Sequence, residues 1–268
     1  HITYDAVSSD AALNAYNEVY GERALADYDF EKADVIVSIG ADFLGDWQGG
    51  GYDAGYAKGR VPKHGKMSKH YQVEANMTLS GANADKRIMA NSVAQKQILA
   101  ALYAKLSGTS ISVSLSDVQQ AAVEAMANSI KKAGSKAVVV TGLDCQHSQR
   151  VVLAINNLIK SDAFDASSPR YIRSSSNAEL SALVADMNAG KVSALITDGV
   201  NPSYSLPNAA EFNAALSNVS LTVAFSQLAN ETVEAFQYVA AASHYLESWG
   251  DVEIKKGHYA VQQPTIKE

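Results

Sequence analysis

Three short apolar runs each end on a glycine that leads into a polar turn: VIVSIGAD at residues 35–42, AVVVTGLD at 137–144 and ALITDGVNP at 194–202. Unbroken β-branched and aliphatic runs of this length read as strands buried on both faces, the habit of parallel sheets. A glycine at the end of such a strand lets the chain turn sharply past the carboxyl edge of the sheet, where ligands of doubly wound α/β folds sit. Three such ends are expected to line one cleft. Between them lie segments of helical period, so the rhythm is that of βαβ units and the fold class is α/β.

The spacing predicts a helix over 8–20, a buried strand over 35–39, and short strands in HYQVEA and DKRIMAN separated by a turn at LSGANA. A helix follows over 92–106. The next is the best marked, because Ser116 is an N-cap, Asp117 lies in its first turn and Gly134 stops it. After the strand KAVVVTG and its covering helix SQRVVLAINNLIKSD, the cycle repeats: helix 178–189, strand VSALITDG, helix 206–217, strand SLTVAF. The Ser- and Pro-rich stretch 161–177 is the natural boundary, giving one Rossmann-like part over 1–165 and another over 166–268.

Composition narrows the function. At 268 residues and 47% hydrophobic content the chain can bury a sizeable core. A net charge of −6 lacks the basic face that nucleic acid or an acidic membrane requires. One cysteine, Cys145, excludes a disulfide framework and any cluster or zinc site built from cysteines of this segment. No apolar run approaches the roughly 18–20 residues of a membrane span. His1 at the start and QQPTIKE at the end lead us to expect a fragment of a longer chain whose targeting segment lies elsewhere.

Familiar cofactor signatures are missing. GADFLG and GLDCQH are not G-x-G-x-x-G fingerprints, and no P-loop occurs. The glycine-rich GGGYDAG does not directly follow a strand and reads as a flexible loop before a phosphate cradle. His64 and His70 flank GKMSK, which reads as a solvated basic loop, and the six histidines show no zinc spacing. No G-x-S-x-G elbow supports a hydrolase. The segment SHYLESWGDVE suits an ordered contact loop, or a cap on the core made by Tyr245 and Trp249.

Several phrases carry a resemblance: YDFEKADVIVSIGADFLGDW, SGANAD, ALITDGVNPSYSLPNAAEFNAAL, ETVEAF, SHYLESWGDVE and QPTI. Over about residues 2–266 they resemble the molybdopterin-oxidoreductase superfamily, and within it the large iron–sulfur subunit of bacterial alternative complex III. The resemblance implies two Rossmann-like parallel-sheet parts of a formate dehydrogenase or DMSO reductase type domain. It also implies a place beside other subunits of a quinol-oxidising complex at the periplasmic face of the inner membrane, with iron–sulfur clusters in a part of the parent chain beyond this one.

In cofactor-bearing members, the matching positions hold the guanosine ends of a bis-molybdopterin guanine dinucleotide. Carried over, the candidate binding residues are Gly40, Asp42, Glu74, Gly142 and Asn201. Asp42 stands where the family has Asn, Glu74 where it has Asp, Asn76 where it has Arg, and NSVAQ where it has the guanine-reading G-T-D. A carboxylate beside a pyrophosphate adds repulsion of about 1 kcal/mol in water and more in a cleft, and the lost Arg was a bidentate phosphate donor. The expectation is therefore a degenerate cleft with no cofactor, no catalytic residue and no metal ligand in this segment, the chain acting as scaffold. The alternatives are an active oxidoreductase that binds the dinucleotide and a module that binds another small ligand in the same cleft.

Overall fold

The computed structural model describes residues 1–62 and 65–267 and is a mixed α/β fold with parallel sheets. His64 lies outside the described residues. The chain divides into a larger unit, Ser9–Arg173 with Lys255–Gly257, and a smaller one, His1–Ser8 with Ser174–Ile254 and His258–Glu268.

In the larger unit, helix α1 (Asp10–Tyr20) precedes strands β1 (Leu25–Tyr28) and β2 (Val35–Ile39). Then come α2 (Asp53–Arg60), β3 (Lys69–Glu74), the one-turn α3 (Leu79–Ala82), β4 (Lys86–Met89), α4 (Ser92–Ser107), α5 (Asp117–Ala133), β5 (Ala137–Thr141), α6 (Gln146–Ile159) and β6 (Phe164–Arg170). Four strands form a parallel sheet in the order β4-β3-β2-β5. The chain steps outward from β2 to β4 and then crosses back to β5, so β2 and β5 flank the topological switch point, where open α/β sheets bind ligands.

Every residue of β2 and β5 is buried, as their apolar runs require. Val35, Val37 and Ile39 face Ile98, Leu102, Met126 and Ile130 of α4 and α5. Ile36, Val138 and Val140 face an aromatic layer that includes Tyr16, Phe30, Phe43 and Tyr56. The Ser116 capping box forms as the sequence suggests, with Gln119 completing it.

Several expectations need correction. The boundary placed at 165/166 falls inside β6, whose polar residues pair antiparallel with β1, and the first eight residues group with the smaller unit. LSGANA carries the helical turn α3. His70 opens the strand expected in HYQVEA and is wholly buried in β3, although it directly follows the loop GKMSK. The glycine-rich loop is a folded turn, with Gly49 and Gly50 amides bonded to Asp46 and Trp47 carbonyls. Arg170 clasps it, donating to the Gly50 carbonyl at 3.1 Å and stacking over Tyr52.

The smaller unit contains α7 (Asn177–Asn188), β7 (Ala194–Asp198), α8 (Pro202–Ser205), α9 (Ala209–Leu216), β8 (Leu221–Ser226), α10 (Glu231–Glu234), β9 (Tyr238–Ala241), all but the last residue of β10 (Gly250–Lys255), and β11 (His258–Gln262). Strands β7, β8 and β9 are parallel in that order. Val184, Met187, Phe212 and Ala215 of α7 and α9 pack on Leu195 and Ala224 of the sheet. The helix expected over 206–217 forms as α9 and starts at Ala209, two residues past Pro207; the separate short helix α8 lies before it. Tyr245 and Trp249 are 60% and 70% exposed, so neither caps a core.

Candidate functional site

The fold brings Gly40, Asp42, Glu74 and Gly142 to the carboxyl edge of the larger unit's parallel sheet; Asn201 lies in the smaller unit, at the carboxyl end of β7. Gly40 turns with φ +70°, a conformation that glycine adopts without strain, and its amide donates to the Val73 carbonyl at 2.8 Å. Gly142 donates to the Ile39 carbonyl at 3.0 Å, and the Thr141 hydroxyl donates to the same oxygen at 2.8 Å. The Ala41 carbonyl, next in the turn, accepts from Ser38 Oγ and Gln72 Nε2. The Gly40 amide thus ties the end of β2 to β3, and the Gly142 amide ties the end of β5 to β2.

The two carboxylates are also occupied internally. Asp42 Oδ1 accepts from the Ser80 amide at 2.8 Å, while Ser80 Oγ accepts from the Leu44 amide, so the loop after β2 is laced to α3. Glu74, 2% exposed, accepts from Arg87 Nε at 2.6 Å and from the Thr78 hydroxyl at 2.7 Å, with Gln72 Nε2 at 3.3 Å. Burial alone would raise its pKa, but these bonds outweigh burial and hold the carboxyl below its usual range. Asn201 is engaged likewise: its amide donates to Glu231, and its Oδ1 accepts from the Thr232 amide and hydroxyl.

Arg87, Gln72 and His70 are the members of this site that motif reading missed. The signal was present, because HYQVE alternates polar and apolar residues within a buried strand, placing His70, Gln72 and Glu74 on one face and Tyr71 and Val73 on the other. Gln72 uses its N–H groups on Ala41 and Glu74, so its Oε1 accepts from His70 Nε2 at 3.1 Å. The Tyr56 hydroxyl lies 3.2 Å from the other ring nitrogen, Nδ1, and donates to the Asn83 carbonyl at 3.0 Å. Burial pushes the His70 pKa down from 6.5 to about 4; Arg60 adds to this, while the Gln72 bond, Asp85 and Glu74 oppose it.

Stability should follow that titration. Below pH 6.5 the unfolded chain takes up a proton that the folded one refuses, so stability is full above 6.5 and declines as pH falls to about 4. The expected loss is on the order of 3 kcal/mol. Urea unfolding across this range checks it: His70→Gln should remove the slope between those limits, and a variant that keeps the slope would assign it to other groups.

Neither any family model nor any curated protein matches the chain. Among the described residues, no cluster of His, Cys, Asp or Glu is placed to hold a metal ion, and no helix is long and apolar enough to cross a membrane. The residues at the switch point do not fit a pyrophosphate. Asp42 and Glu74 present negative charge, Arg87 is already paired with Glu74, and the amides of Gly40 and Gly142 already donate to carbonyls.

Proposed function

We propose that the chain is the α/β part of a molybdopterin-oxidoreductase-like subunit of a quinol-oxidising electron-transfer complex, where it serves as scaffold and does no chemistry of its own. One observation carries this reading: the positions that would hold the dinucleotide are taken up by hydrogen bonds to neighbouring residues, from Gly142 to Ile39, from Ser80 to Asp42 and from Arg87 and Thr78 to Glu74. A rigid, self-satisfied sheet edge suits a body that positions redox carriers held elsewhere. In this reading the iron–sulfur clusters belong to another part of the parent chain. Its partners are the other subunits of the complex, at the periplasmic face of the inner membrane.

Metal analysis and pterin fluorescence of the purified full-length protein test it. Neither molybdenum nor pterin is expected, and stoichiometric molybdenum would replace this reading with that of an active oxidoreductase.

A further inference from the structure

We propose that the free edge of β7 takes up an extended segment of another polypeptide as an added strand. β7 has β8 on one side and, among the described residues, no strand on the other. Ser193 accepts from the Leu221 amide and Gly199 donates to the Phe225 carbonyl, each at 3.1 Å, which fixes the alternation of the strand. Leu195 and Thr197 therefore turn their peptide groups toward β8, while Ala194, Ile196 and Asp198 turn theirs outward. Natural sheet edges are guarded by lysine, proline or a bulge. The sequence ALITD has neither residue, its one charge is Asp198 at the end of the strand, and its register with β8 runs unbroken from Ala194 to Asp198.

A cleft of about 700 Å³ lies beside this edge. The segment His1–Tyr4 also lines it, pinned where the Thr3 carbonyl accepts from the Ser176 amide at 3.2 Å and the Tyr4 hydroxyl donates to Ser205 at 2.8 Å. Leu180, Leu183 and Phe212 supply apolar lining. An extended segment satisfies both features at once. Its backbone meets the outward N–H and C=O groups, and its alternate side chains rest on the apolar lining. A small apolar ligand would leave the peptide groups unpaired. The proposal uses none of the residues that carry the proposed function.

The probe is a soluble hexapeptide alternating valine and threonine, compared with the same peptide N-methylated on the amides of one edge. With the unmethylated peptide at millimolar concentration, amide exchange at Ile196 and Asp198 should slow at least about tenfold. Exchange at Leu195 and Thr197, already bonded to β8, should change little. Ile196→Pro, tolerated at an edge position, should abolish the effect by removing an outward N–H, and Leu183→Lys should weaken it from the cleft side. Equal protection by the methylated peptide, no protection at all, or protection that rises with protein concentration in the absence of peptide would each overturn the proposal.

Discussion

Gly142→Ala is expected to destabilise the larger unit by at least about 3 kcal/mol, near the upper end for overpacked positions. A Cβ at this position would sit 2.2 Å from the Gly40 carbonyl oxygen, 2.8 Å from its carbon and 3.0 Å from the Ala41 Cα. All three atoms are backbone, so no side-chain rotation relieves the clash. Relief requires parting β2 from β5, which breaks the Gly142 and Thr141 bonds to the Ile39 carbonyl. Gly108→Ala is the control: its φ is +78° but nothing lies within 4 Å of the added carbon, so it reports left-handed backbone strain alone, about 1–2 kcal/mol. Trp47 lies in the larger unit and Trp249 in the smaller, so urea unfolding followed by fluorescence in a Trp249→Phe background reads the correct transition. Equal losses for the two glycine variants would show that the close approach at Gly142 is relaxed in solution.

That glycine also shows where sequence reading succeeds. β2 and β5 were legible because both faces are buried and every residue is apolar or small, and α5 because its cap is local. The role of Gly142 as a turn was legible too, but its closeness to Gly40, 102 residues earlier, was not. The same limit governs the site. Asp42 reads as a ligand-facing carboxylate until Ser80, 38 residues on, is seen to donate to it. β6 was missed because FDASSPR has no apolar pattern; its partner β1 holds it, along with the Lys255 ammonium that meets Asp27 at 2.6 Å. His70 was legible as part of the strand HYQVEA, but its buried polar layer was not, because Tyr56 lies 14 residues earlier and meets it only in the fold.

Arg87→Ala should cost about 3 kcal/mol at neutral pH, the lower end for breaking a buried ion pair, since the Arg87 side chain is 28% exposed and that of Glu74 only 3%. Without the guanidinium, Glu74 remains charged in a buried position with only Thr78 and Gln72 as donors. Burial then prevails and its pKa rises above the ordinary 4.5, the reverse of the native shift. The sign of the pH dependence follows. In the native protein Glu74 stabilises above 4.5, and that contribution is lost as pH falls below it; in the variant a carboxylate that resists ionisation destabilises above 4.5 and is relieved as it protonates. The deficit should therefore shrink from neutral pH toward pH of about 5, and adding Glu74→Gln should recover about half of it by removing the stranded charge. A deficit that is constant with pH, or unaffected by the second substitution, would mean that Arg87 acts by packing alone. The consequence reaches the switch point, because Glu74 accepts from Thr78, the N-cap of α3, and α3 presents Ser80 to Asp42. Loosening the Arg87 pair should raise amide exchange at Ser80 before it raises exchange in β2, as expected if these bonds form one network closing the sheet edge.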